Sequence, residues 1–156
     1  MRPARREFIG AALAALTVPA ALAAAPTDVD VWKSPTCGCC KDWIQHLEAH
    51  GFRVKVHDIG NTAARARLGI PMRLGSCHTA QVAGYALEGH VPAREIRRLL
   101  AERPQAIGLA VPGMPVGSPG MDGPEYGGRK DAYDVLLVTK NLMNSDVSTS
   151  VFSSYR

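Results

Sequence analysis

The sequence predicts an α/β fold that begins with a β-α-β unit. Residues 29–33 and 52–56 lie in stretches that alternate polar and apolar side chains, which is typical of strands with one buried face. Between them, residues 39–49 carry large apolar side chains at helical spacing, and Gly51 follows where a helix end favours glycine. Two strands joined in this way form a parallel pair with a right-handed crossover.

The following elements extend this order to β-α-β, short helix, β-β-α. A short helix is predicted over residues 62–68, because Thr62 can cap its start. Residues 77–82 and 85–87 are predicted to form a hairpin, and a helix with one apolar face spans residues 92–103, before Pro104. A cysteine turn after the first strand, followed by this order, indicates a thioredoxin-like core.

Two features follow that core. The composition shifts from residue 111 to residue 128, and the stretch over residues 111–121, rich in proline, glycine and methionine, cannot form a helix or a central strand. A long irregular loop in a compact domain is usually functional or disordered. Residues 133–138 and 147–152 are predicted to form a C-terminal β-hairpin with its turn around residues 144–146.

The first 25 residues have the pattern of an export signal. A basic start containing Arg5 and Arg6, similar to a twin-arginine signal, precedes an apolar stretch over residues 9–22 and a run of small residues. A membrane anchor is the alternative, but the apolar stretch is short for a span and no basic stop follows it. We therefore expect residues 1–25 to be cleaved and residues 26–156 to form a single domain in the periplasm.

Composition narrows the classes of partner. With 46% hydrophobic and 21% charged residues in a chain of 156, the protein has the composition of an ordinary globular domain. The net charge of +4 is mild, and the basic residues form no stripe interleaved with aromatic residues, which argues against a nucleic-acid partner. We expect no stable membrane anchor in the mature chain.

Three of the four cysteines, Cys37, Cys39 and Cys40, lie within four residues where the first strand gives way to the helix. Unpaired N–H groups and the helix dipole at such a position favour thiolates, which attack disulfides and bind metals. Cys77 begins the third strand, which would neighbour the first in a thioredoxin-like sheet, so it can face the cysteine turn.

Several chemistries are compatible with these cysteines. A thiol–disulfide oxidoreductase would use Cys37 as the nucleophile and Cys40 as the resolving thiol, but Cys39 beside them would invite competing disulfides. A structural disulfide to Cys77 would leave two unpaired thiols. A tetrahedral zinc site is disfavoured because Cys39 and Cys40 are adjacent and a second C-x-x-C pair is missing. Three close sulfurs suit a soft-metal cluster.

Histidines and methionines extend the list of candidate ligands. His78 abuts Cys77, although in an ideal strand it would point to the opposite side. His90 lies in the loop before the second long helix. Met114 and Met121 lie in the irregular loop, and thioether sulfur selects Cu(I). The other three histidines are expected to be ordinary surface or strand-end residues: His46, His50 and His57.

Four segments, residues 31–40, 75–80, 88–93 and 108–115, together resemble the CopG-type copper-resistance family, long catalogued only as a domain of unknown function. The similarity extends over nearly all of the mature chain. It implies a thioredoxin-like fold, a periplasmic location and copper binding, in at least one member at a cysteine-bridged multinuclear cluster. By resemblance, the metal ligands are Cys37, Cys39, Cys40, Cys77, His78, His90, Met114 and Met121.

The sequence therefore predicts an exported copper-binding protein for copper resistance. We expect copper as the cofactor or cargo, held as Cu(I), with a multinuclear cluster and redox cycling as further expectations. Its expected partners are copper ions and periplasmic copper-efflux or copper-carrier proteins. The alternative is a thiol–disulfide oxidoreductase that uses Cys37 and Cys40, and the sequence leaves open whether the protein is an enzyme.

Overall fold

The computed structural model describes residues 25–141 and 146–156. The predicted export signal lies outside these residues except for Ala25, as does most of the turn expected around residues 144–146. The elements, in chain order, are β1 (Thr27–Lys33), α1 (Gly38–Ala49), β2 (Phe52–His57), α2 (Thr62–Arg67), β3 (His78–Val82), β4 (Tyr85–Glu88), α3 (Ala93–Glu102), β5 (Gly108–Ala110), β6 (Tyr133–Lys140) and β7 (Val147–Tyr155), with single 3₁₀ turns at Met72–Leu74 and Pro124–Tyr126.

All seven described strands belong to one mixed sheet with the order β2-β1-β3-β4-β5-β6-β7. Strands β1 and β2 are parallel and α1 connects them, while β3 runs antiparallel to both β1 and β4. Strand β5 is parallel to β4, and β6 and β7 close the sheet as an antiparallel pair. The α/β class, the order of elements through α3 and the pairing of the last two strands are confirmed.

Strand β5 was not predicted from the sequence. It has only three residues, all of them buried, so its side chains show no alternation. Gly108 allows it to lie against β4, because a Cβ atom at this position would be 1.7 Å from the carbonyl oxygen of Ala86. A close backbone approach, rather than a side-chain pattern, therefore accounts for this strand.

The main core lies between the sheet and the helices. Trp43 and Leu47 of α1 are fully buried, as are Ile96 and Leu99 of α3. Each such side chain contributes about 1.5–3 kcal/mol through burial. This packing fixes α1, and with it the cysteine turn, against the sheet. Within residues 25–141 and 146–156, no helix combines the length and apolar character needed to cross a bilayer.

The irregular loop after β5 packs on the first turn of α1. Gly120 has a φ of +83°, and a Cβ atom there would lie 2.7 Å from the carbonyl oxygen of Cys39 and from the backbone nitrogen of Trp43. Neighbouring loop residues are also buried, with Ser118 at 0% and Met121 at 9% exposure. The loop therefore packs against the part of α1 that carries Cys39.

Replacing Gly108 tests the account of β5. We expect Gly108→Ala to lower the free energy of unfolding by about 3 kcal/mol, because the added methyl group must separate β5 from β4. Urea unfolding measures the change. Gly38→Ala is the control, since a Cβ atom there meets nothing within 4 Å, and we expect less than about 1 kcal/mol. Equal effects of the two substitutions would contradict the steric explanation.

Candidate metal centre

The cysteine turn and the segment entering β3 meet at one end of the sheet. Cys37 is the N-cap residue of α1, and Cys40 is buried in its first turn. Lys33 at the end of β1 pairs with His78 at the start of β3. Cys77 immediately precedes β3, so it lies beside the turn that leaves β1. The expected approach of Cys77 to the other cysteines is observed.

The four cysteine sulfurs form one group, with every Sγ atom within 4.8 Å of the others. Cys37 and Cys40 are joined in a disulfide, whereas Cys39 and Cys77 are free thiols. The Sγ atom of Cys39 lies 3.6 Å from that of Cys37 and 3.8 Å from that of Cys77. The alternative in which Cys77 forms a structural disulfide is not observed.

His90 directs one ring nitrogen at Cys77. Its Nδ1 atom lies 2.8 Å from the carbonyl oxygen of Pro119, and a carbonyl can only accept, so Nδ1 carries the hydrogen. The lone pair of Nε2 then faces Cys77, whose Sγ atom lies 3.1 Å away. A backbone carbonyl that orients the second nitrogen in this way is the usual support of a metal-binding histidine.

His78 joins the group from the other side. Its Nδ1 atom lies 3.3 Å from the Sγ atom of Cys77. An ideal strand would separate these neighbouring side chains, but β3 begins at His78 rather than at Cys77 as predicted. The imidazole is fully buried, 4.2 Å from the Trp43 ring and 5.0 Å from the His90 ring between centroids. Among the described residues, its Nε2 atom has no hydrogen-bond partner.

The protonation states suit metal binding by nitrogen. Burial, the nearby His90 and then Lys33 lower the pKa of His78 well below its usual value, against one backbone hydrogen bond. Burial also lowers the pKa of His90, with the Pro119 carbonyl and Asp122 acting in the opposite direction. Both rings are thus neutral near pH 7, the form that coordinates metals.

The thiol of Cys77 precedes a strand and lacks the helix N-terminus that would favour a thiolate. Burial, followed by the charge and hydrogen bond of Cys39, raises the pKa of Cys77 to about 12. Without a cation this sulfur therefore keeps its proton at neutral pH. Metal binding at Cys77 must displace that proton, so binding strengthens as pH rises.

A buried ion pair holds the segment around Cys77, and the sequence interpretation missed it. The Glu88 carboxylate accepts hydrogen bonds from Arg65 Nε at 2.9 Å, the Ser76 backbone N–H at 2.7 Å and the Thr79 hydroxyl at 2.6 Å. Arg65 Nη2 also donates to the Ser76 carbonyl oxygen at 2.6 Å. Burial raises the pKa of Glu88, while these donors oppose the rise. The sequence signal that could have indicated this ion pair is Glu88, a charged residue at the end of a buried strand.

The two predicted methionines occupy different environments. Met121 is buried beside the first turn of α1, and its thioether sulfur accepts a hydrogen bond from the Tyr126 hydroxyl at 3.3 Å. Met114 is 51% exposed, and the preceding Gly113 is hydrogen-bonded to Ser76 and Gly75. Met121 is therefore buried with its sulfur hydrogen-bonded to Tyr126, whereas Met114 is largely exposed.

The remaining histidines have structural contacts. His46 Nε2 accepts the Ala93 N–H at 3.1 Å, at the start of α3. His50 Nδ1 contacts the His46 carbonyl oxygen, and His57 pairs with Asp30 at 2.7 Å. The expectation that these three histidines lie outside the candidate centre agrees with their positions.

The described donors form two overlapping groups that share Cys77. One contains the four cysteines, and the other contains Cys77, His78 and His90 with their ligand atoms within 4.8 Å of one another. Thiolates and imidazoles fit soft or borderline transition metals, whereas Mg²⁺ and Ca²⁺ take oxygen ligands. The described residues of this α/β protein therefore bring together sulfur and nitrogen donors that suit a transition metal.

Comparisons with known proteins agree with this class. Residues 74–121 match the family model described as "Protein of unknown function, DUF411". A solved structure of copper resistance protein CopG, Form 1, shares 48% identity over 83% of this chain and 98% of its own, with a TM-score of 0.73. Form 2 shares 47% identity over 84% and 99%, also with a TM-score of 0.73. No curated protein matches the chain. The chain belongs to the CopG family of copper-resistance proteins.

Removing the buried charge of Glu88 tests the ion pair. We expect Glu88→Gln to lower the free energy of unfolding by about 3–5 kcal/mol, because Arg65 would remain buried without its counter-charge. Urea unfolding of the metal-free protein measures the loss. Glu102→Gln, at the exposed pair with Arg98, is the control and costs at most about 0.5 kcal/mol. A cost below about 1 kcal/mol at Glu88 would show that the pair does not hold this segment.

The depressed pKa of His46 predicts a pH dependence of stability. Burial, then His50, lowers this pKa below 6.5, while Asp122 opposes the shift. The unfolded state therefore binds more protons, and the free energy of unfolding falls as pH decreases from about 6.5 through the folded-state pKa. In His46→Gln, whose amide oxygen can still accept the Ala93 N–H, we expect a weaker dependence. Denaturant titrations at several pH values compare the proteins, and identical slopes would contradict the assignment.

Proposed function

We propose that this protein binds copper in copper resistance, with Cu(I) as its principal cargo at the cysteine centre. The observation that carries the proposal is the convergence of four cysteine sulfurs within 4.8 Å of one another. The solved CopG structures, at 47–48% identity, are of a protein named for copper resistance. Soft sulfur donors select Cu(I) over harder ions.

The proposed ligands have distinct roles. Cys39 and Cys77 are free thiols, and reduction of the disulfide would add the sulfurs of Cys37 and Cys40. Thiolates can bridge two ions, so this group suits a multinuclear cluster. The other proposed ligands are the imidazoles of His78, at the start of β3, and of His90, together with the thioethers of Met114 and Met121 in the irregular loop.

We further propose that the core is thioredoxin-like and that the protein works in the periplasm after cleavage of residues 1–25. The β1-α1-β2 unit with the Cys37–Cys40 pair at the start of α1 supports the first point. The disulfide supports the second, because disulfides persist in oxidising compartments. Periplasmic copper-efflux and copper-carrier proteins are the proposed partners, and redox cycling of copper is proposed as an extension of the cargo role.

A second candidate function is thiol–disulfide exchange by Cys37 and Cys40. The disulfide at the N-terminus of α1 favours it, since this is where a reactive pair is activated. Cys39 argues against it, because its sulfur lies 3.6 Å from that of Cys37 and would compete in any exchange. Reduction of insulin disulfides by this protein, with an activity that persists when metal chelators are added, would support this candidate.

A Cu(I) titration tests the copper proposal. We expect the reduced, metal-free protein to bind more than one equivalent of Cu(I) under anaerobic conditions, and Cys39→Ser and Cys77→Ser each to lower the stoichiometry. Native mass spectrometry counts the bound ions. Met72→Leu, which removes a 72% exposed thioether outside the proposed ligands, is the control and should leave the count unchanged. A count unaffected by both cysteine substitutions would refute the cluster.

A further inference from the structure

The two overlapping donor groups differ in their dependence on the disulfide. Cys37 and Cys40 both belong to the all-sulfur group, so the disulfide removes two of its four donors. The mixed group, Cys77 with His78 and His90, contains neither of them. The free thiol of Cys77 and both imidazoles thus stay available while the disulfide is formed.

We propose that the redox state of the Cys37–Cys40 pair decides which of two metal sites the protein offers. With the disulfide formed, Cys77, His78 and His90 bind one borderline divalent ion. With the pair reduced, the four thiols form the Cu(I) site. The second half rests on the proposed function, whereas the first half does not require it.

The mixed group is built for a metal ion. The Pro119 carbonyl holds the hydrogen of His90 on Nδ1, leaving the lone pair of Nε2 directed at Cys77. His78 is fully buried, its Nδ1 atom lies 3.3 Å from the Cys77 sulfur, and among the described residues its Nε2 atom has no hydrogen-bond partner.

The spacing of the donors agrees with this assignment. The sulfur–nitrogen distances are 3.3 Å to His78 and 3.1 Å to His90. Bond lengths of about 2.3 Å to sulfur and about 2.0 Å to nitrogen in a tetrahedral site place the donors about 3.6 Å apart, so small shifts suffice. One thiolate with two imidazoles is a donor set that zinc, cobalt and Cu(II) accept.

Interconversion requires a dithiol reductant. A thiolate of the reductant attacks one sulfur of the disulfide, a mixed disulfide forms, and the second thiol of the reductant resolves it. Cys37 and Cys40 gain two electrons and two protons, and the reductant leaves as its own disulfide. Because Cys77 belongs to both groups, the ion of the oxidised form and the copper of the reduced form must share or exchange this sulfur.

Co(II) is the probe for the oxidised form, because it does not oxidise thiols and its absorption reports sulfur ligation. Alkylation first verifies two free thiols in the full-length, metal-free protein. We expect the disulfide form to bind one equivalent of Co(II) with a thiolate-to-metal charge-transfer band. Cys77→Ser should abolish the band, and His90→Ala should weaken binding about 100-fold. His50→Ala, at an exposed histidine outside both donor groups, is the matched control for His90→Ala and should keep both the band and the stoichiometry.

Three outcomes would overturn the inference: no Co(II) binding by the wild-type disulfide form, a band that persists in Cys77→Ser, or equal losses of binding in His90→Ala and His50→Ala. The first needs no substitution, so a variant that fails to fold cannot obscure it. Failure here with Cu(I) bound by the reduced protein would refute only the inference. Failure of the Cu(I) titration with Co(II) bound as expected would refute only the proposed function.

Discussion

The position of Cys77 depends on the satisfaction of one buried carboxylate. Glu88 is fully buried, and three donors from α2, from the segment before β3 and from β3 itself converge on it. Losing a donor would leave this buried charge with fewer partners, and a hydrogen bond to a charged group contributes about 1.5–3 kcal/mol. The backbone on both sides of Cys77 is therefore held by electrostatics, while apolar packing holds α1 and the facing cysteines.

Three consecutive residues at the end of β4 and just after it, Glu88, Gly89 and His90, contact the residues that surround Cys77. Glu88 binds the Ser76 N–H, and Gly89 allows the close approach, because a Cβ atom there would lie 2.5 Å from the Ser76 hydroxyl. His90 then directs Nε2 at Cys77 while its Nδ1 contacts the Pro119 carbonyl. This short segment contacts both the residues before β3 and the irregular loop. It therefore positions the centre as much as the cysteine turn does.

Local patterns account for what could be predicted from the sequence. Alternation and helical spacing identified the β-α-β unit. The prediction that the first and third strands are neighbours placed Cys77 beside the cysteine turn. Strand β5 has no alternation, and the pairing of Arg65 with Glu88 joins residues 23 apart without a local signature. The orientation of His78 depended on whether β3 begins at residue 77 or 78, which lies within the usual uncertainty of element boundaries.

The observed disulfide and the proposed Cu(I) site compete for the same sulfurs. Cys37 and Cys40 cannot be bonded to each other and also act as thiolate ligands, so any ligand that binds only the dithiol form stabilises that form. On the proposed function, each tenfold preference of copper for the reduced protein raises the reduction potential of the pair by about 30 mV. Cys39, whose sulfur lies between those of Cys37 and Cys77, is a thiol in both states. The third cysteine, which would hinder a simple oxidoreductase, therefore keeps a soft donor at the centre through either redox state.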